Sequence, residues 1–140
     1  MMERFTDWLK AAAAALGGAA AYLWGPWDAL IIALVIFVVL DYITGIAKAA
    51  VRRELSSKAG FHGLLKKVAI FVLVAIGTVM DSVIPAANHA IRSAVIMFYI
   101  ANEGLSILEN AGEIGLPMPE ALKAALKKLS EPGEKKETDV

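Results

Sequence analysis

Two carboxylates, Asp41 and Glu103, stand inside runs of apolar residues, where an ionised side chain is costly unless it is paired, protonated or in contact with water. Each belongs to a polar stripe. Asp41, Thr44, Gly45, Lys48 and Arg52 fall at offsets of three, four, seven and eleven, which puts them on one face of a helix. Arg92, Tyr99, Asn102, Glu103, Ser106 and Asn110 align in the same way with Glu109 beside them, and Gly77, Thr78 and Asp81 give a third segment a shorter polar side. Such stripes suit two kinds of chemistry. They can hold helices together by hydrogen bonds across the contact, or they can line an aqueous path for ions, protons or larger solutes. They do not suit catalysis: the chain has no phosphate-binding glycine loop, nucleophile elbow or pair of metal ligands on a helix. Cysteine is absent, and His62 and His89 fall in separate loops without a partner ligand, so neither an enzyme nor a cofactor or metal site is expected.

The elements that position these stripes are membrane helices. Of 140 residues, 58% are hydrophobic, more than a soluble core of this size requires, and after the apolar runs are set aside no polar piece could bury a core of its own. A spanning helix needs about 20 mostly apolar residues. Spans are expected at about residues 9–24, 29–49, 67–87 and 91–110 within a membrane domain covering residues 1–115. The first is built from small residues, Ala11 to Ala15 and Gly17 to Ala21, flanked by Trp8 and by Tyr22, Trp24 and Trp27. If that run lies on the surface there are three spans instead of four. Its leading segment is not basic and its apolar run is not leucine-rich, so it reads as a span rather than a signal peptide. Gly25-Pro26-Trp27-Asp28 breaks the helix into a tight hairpin, with Asp28 as the cap of the second span. At helical rise Asp41 and Glu103 then lie roughly 15 to 20 Å from the outer surface, where they could meet and share a proton or a cation, with Lys48 as the candidate partner.

Charge sets the orientation. Arg52, Arg53, Lys58, Lys66 and Lys67, together with Lys48, crowd one connection against Glu54 alone, and by the positive-inside rule this basic loop is cytoplasmic. The C-terminus is then cytoplasmic too. Anionic lipid accounts for the basic residues without a nucleic-acid partner. Residues 116–130 form a short amphipathic helix, with Leu122, Leu126 and Leu129 on one face and Lys123, Lys127 and Lys128 elsewhere, able to lie on the inner leaflet or against a partner subunit. Residues 131–140 have too few apolar side chains to order themselves.

These stripes alone fit three functions: a lumen assembled from several copies, a small ion-conducting or proton-coupled transport subunit, and a non-permeabilising anchor whose stripes serve only as assembly contacts. One stretch distinguishes among them. Phe98-Tyr99-Ile100-Ala101-Asn102-Glu103-Gly104-Leu105-Ser106-Ile107-Leu108-Glu109-Asn110, followed by Gly115-Leu116-Pro117-Met118-Pro119 and the lysine-rich helix, resembles the toxin-secretion and phage-lysis holin family. Asp41-Tyr42-Ile43-Thr44-Gly45 and the segment from Leu55-Ser56-Ser57-Lys58 to Gly63 support it. The resemblance runs from Leu40 to about Leu129 and fades in the alanine-rich N-terminal segment. It implies a bacteriophage or prophage protein that forms homo-oligomers in the host cytoplasmic membrane and permeabilises it. Endolysin, or a toxin, then reaches the cell wall with no direct contact required. Pairing or protonation of Asp41 and Glu103 would favour the closed state, and collapse of the membrane potential would release it.

Overall fold

The computed structural model describes residues 1–131, over which the chain forms helices and no strands. Helices α1 (Met2–Trp24), α2 (Ala29–Val51), α3 (Ser57–Val83), α4 (Ala90–Ile114) and α5 (Glu120–Ser130) follow in order, with a 3-10 turn at Pro85–Ala87 between α3 and α4. The charged tail expected to be disordered lies outside the described residues from residue 132 onward. α2, α3 and α4 are each long and apolar enough to cross a membrane. α1 is not among them, because its alanines and glycines carry little apolar surface.

Each helix starts and stops for a local reason. Asp28 caps α2 as expected, its Oδ1 accepting from the Ile31 amide at 3.1 Å, and Ser56 caps α3 by accepting from the Ala59 amide at 3.3 Å. The second cap shortens the connection. Lys58, Lys66 and Lys67, expected in a basic loop, lie on the first turns of α3 instead, and only Arg52 and Arg53 remain between the helices. Gly25 adopts φ 73°, ψ −163° at the end of α1, a conformation open to glycine, and a Cβ there would stand 2.9 Å from Arg92 Nε.

The bundle has a proline end, with Pro26 and Pro85, and a basic end, with Lys48, Arg52, Lys58 and Lys66. α4 is the central element: α2 packs along it, α3 packs against it as well, and α2 and α3 touch each other little. Inward positions recur at spacings of three and four, as ridges-into-grooves packing requires. They are Ile31, Leu34, Val38 and Asp41 on α2 and Ile70, Val74, Gly77 and Asp81 on α3, and they face a broader buried side of α4 that includes Arg92, Ile96, Ala101, Glu103, Gly104 and Asn110. Ile31, Leu34, Val38, Ile70, Val74 and Ile96 form an apolar core between two polar groups, Asp81 and Arg92 at the proline end and Asp41 and Glu103 toward the basic end. Lipid tails are as apolar as this core, so association rests on close packing and on the polar contacts rather than on removal of apolar surface from water.

Close packing depends on Gly77. A Cβ at this position would stand 3.3 Å from Arg92 Cα and 3.4 Å from Val95 Cγ2. Gly77→Leu is therefore expected to push α3 from α4 and to cost about 1–3 kcal/mol or more, read as a lowered melting temperature in detergent.

Candidate functional site

The polar halves of the three inward faces converge on Lys67. Its Nζ, carried by α3, donates to Asp41 Oδ2 of α2 and to Glu103 Oε2 of α4, so one ammonium bridges two carboxylates from two other helices. Asp41 and Glu103 are each only 7% exposed, which makes this a charged cluster taken almost wholly out of solvent. Asn110 extends it: its Nδ2 donates to Asp41 Oδ1 at 3.1 Å and to Thr44 Oγ1 at 3.0 Å, while Thr44 returns its hydroxyl to the Leu40 carbonyl at 2.8 Å. Among the described residues no buried side-chain nitrogen or oxygen lacks a partner. A half-satisfied network would destabilise the bundle, whereas a complete one fixes the register of three helices.

The cluster forms the inner wall of an open cleft of about 620 Å³ between α2, α3 and α4. Lys48, Glu54, Ser56 and Lys66 stand at the basic end of this cleft, and Tyr99, Asn102, Ser106 and Asn110 line its α4 side. Tyr42 ties the mouth together by donating to the Gly60 carbonyl at 3.3 Å. Apart from this cluster and the polar groups at the basic end, most of the cleft's lining is apolar.

The sequence-derived stripes are therefore brought together in large part, with reassigned partners. Asp41 and Glu103 do meet, but their cation is Lys67; Lys48 pairs with Glu113 at 3.5 Å, and Arg52 joins the same carboxylate at 3.1 Å. Arg53 (φ 57°), Lys58 and Glu109 are exposed and stay apart from the cluster. Thr78 bonds back to the Val74 carbonyl of its own helix at 3.0 Å. Asp81 lies at the proline end, accepting from the Ile91 and Arg92 amides at 3.1 and 2.8 Å and so capping α4. Lys67 was legible in principle, because it continues the spacing Ile70, Val74, Gly77, Asp81 by one step toward the N-terminus.

Arg92 anchors a second polar network, apart from the cluster. Only 3% exposed, it donates to the Trp24 carbonyl at 2.7 Å, the Pro26 carbonyl at 2.9 Å and both oxygens of Asp28 at 2.9 and 3.3 Å. The turn between α1 and α2 is thereby clamped to the start of α4. Trp24 adds a second tie, donating its indole N–H to the Phe71 carbonyl of α3 at 2.8 Å. The Arg92 guanidinium holds the Asp28 carboxyl below the usual carboxylate range, with the Ile31 amide adding to the effect against partial desolvation. A lowered folded-state value contributes stability above the ordinary value of 3.8 and loses it as pH falls through the folded value. The clamp is thus expected to be intact at neutral pH and to release in acid, an effect that Asp28→Asn removes from a pH series of melting temperatures.

The bacteriophage holin family matches residues 18–131, a segment that includes the whole cluster, the cleft and α5. The chain belongs to the bacteriophage holin family. A probable holin of Bacillus phage phi105 is 39% identical to this family member over 101 residues, covering 72% of this chain and 73% of the phage protein. An uncharacterized 14.9 kDa protein of Clostridium perfringens is 38% identical over 129 residues, 92% of this chain and 98% of its own length. An uncharacterized protein of Listeria innocua is 46% identical over 115 residues, 82% and 81% of the two chains. No solved structure matches this holin-family chain significantly.

Proposed function

We propose that this chain is a hole-forming holin that oligomerises in the bacterial cytoplasmic membrane and permeabilises it, letting endolysin or a toxin through to the cell wall. In this reading it is a permeabiliser and not an enzyme. One observation carries the physical side: three helices long and apolar enough to cross a membrane bury a charged, hydrogen-bonded cluster on the inner wall of an open cleft. Such a bundle keeps the charges of the cluster away from lipid while alone, and it permeabilises only by assembling with others.

The basic end faces the cytoplasm, by the excess of lysine and arginine there, and the C-terminal end of α4 lies on the same side. α1 forms a fourth crossing. Its 23 residues reach about 34 Å at helical rise, enough for a hydrocarbon layer of roughly 30 Å. Lys67, Asp41 and Glu103 carry their charges on three different helices inside the membrane field, where one elementary charge crossing 100 mV is worth about 2.3 kcal/mol. Pairing around Lys67 holds the closed protomer, and its rearrangement on loss of the membrane potential is the releasing step.

Purified protein in vesicles loaded with both a small dye and an enzyme-sized protein tests this. Release of both supports a holin. Release of the dye alone supports the second reading, a small ion-conducting subunit, which the buried cluster on the wall of the cleft also favours; retention of both leaves the membrane anchor.

A further inference from the structure

The amphipathic helix α5 is not set apart from the bundle. It doubles back on α4 and seats Leu126 at Gly104, where a Cβ would stand 3.1 Å from Leu126 Cδ1 and 3.0 Å from Phe37 Cε1 of α2. The missing side chain at Gly104 lets Phe37 and Leu126 close over the α4 backbone from two other helices. Gly104 follows Glu103 directly, about 15 Å of helical rise from the end of α4, and Phe37 lies about one turn on the proline side of Asp41. α5 is therefore docked beside the length of α2 and α4 that crosses the membrane.

That position conflicts with lipid. Glu120, Lys123 and Lys128 are exposed on α5, and charged groups turned toward hydrocarbon are costly. Elsewhere the bundle offers lipid what it should: Ile32, Ile36 and Val39 on α2 and Val68, Val72 and Ile76 on α3 are exposed and apolar. The protomer thus has two unlike sides. The stripe around Asp41, Lys67 and Glu103 is turned inward and bonded to itself, so a water-filled hole needs another polar surface, and α5 brings one.

We propose that the side of α4 covered by α5 is the water-facing wall of the assembled hole, with α5 docked at Gly104 and lining the lumen. This rests on the permeabilising function proposed above. The occupant of the Gly104 site in the open assembly is this chain's own α5, and the outer faces of α2 and α3 meet lipid.

The chain has no cysteine, so Phe37→Cys with Leu126→Cys gives a unique pair across Gly104. A short bis-methanethiosulfonate bridges it reducibly in full-length protein assembled in vesicles. The bridge is expected to form within single chains of the oligomeric fraction, and bridged protein is expected to release dye to the same extent as unbridged protein. Absence of the bridge from oligomers, or release that returns only after reductant, would mean that α5 leaves the site before holes form and would overturn the proposal. If bridged, unbridged and unsubstituted proteins all fail to release dye, it is the permeabilising function that fails, and the bridging yield in oligomers still decides where α5 sits. Leu126→Asp supplies a second reading that leaves α2, α3 and α4 unaltered: evicting α5 is expected to reduce release, and increased or earlier release would contradict its place in the lumen wall.

Discussion

Lys67→Met is expected to lower the stability of the bundle by about 3–5 kcal/mol, because it leaves Asp41 and Glu103 facing each other with no cation between them. The loss should appear as a large drop in melting temperature in detergent and as poor accumulation in membranes. The effect comes from the orphaned charges more than from the missing contact. The triple variant Asp41→Asn, Lys67→Met, Glu103→Gln removes all three charges and is therefore expected to be much closer to the parent than Lys67→Met alone, since replacing a buried ion network by neutral groups is often near neutral. A triple variant less stable than the single one would show that the cluster contributes through its geometry rather than its charge balance. The same triple variant bears on triggering. With no charge left in the cluster, the membrane field has nothing there to act on, and the holes should form without the usual response to an uncoupler. Triggering that still follows depolarisation as in the parent would remove the cluster from that role.

Arg92→Ala has the second largest expected effect, about 2–4 kcal/mol. This is less than for a fully enclosed pair because the Asp28 side chain remains 40% exposed and can be rehydrated. The substitution strips the Trp24 and Pro26 carbonyls of their donors and frees the turn between α1 and α2 from α4. Limited proteolysis should then cut near Gly25 in the variant and not in the parent. Arg92→Lys is expected to recover only part of the loss, because a single ammonium lacks the planar fork that reaches Asp28 and two carbonyls at once. Equal protection of Arg92→Ala and the parent would show that Trp24 and its bond to Phe71 suffice to hold the turn.

Much of the bundle was legible in the residues. Apolar length set α2, α3 and α4, Gly25-Pro26 and Pro85 set the breaks, and Asp28 caps α2 as its position before an apolar run suggests. The meeting of Asp41 with Glu103 followed from counting residues along two helices. The cation between them did not, because Lys66 and Lys67 read as the end of a basic loop until Ser56 is seen to start α3 ten residues earlier. Arg92 read as one more member of the polar stripe of its span, since nothing in its neighbours reveals that its partners lie more than 60 residues away at Trp24, Pro26 and Asp28. The amphipathic character of α5 was plain, whereas its seat was not. A glycine within Glu103-Gly104-Leu105 carries no sign that Phe37 and Leu126 close over it, which only the crossing of α2, α4 and α5 creates.

The most direct measurement tracks membrane potential and culture density together in bacteria that express this chain alongside a cytoplasmic endolysin lacking any export signal. A holin gives a sudden depolarisation and then lysis, and the lysis disappears when the endolysin is omitted. Depolarisation with the endolysin retained inside the cells, or no depolarisation at all, would contradict hole formation by this chain.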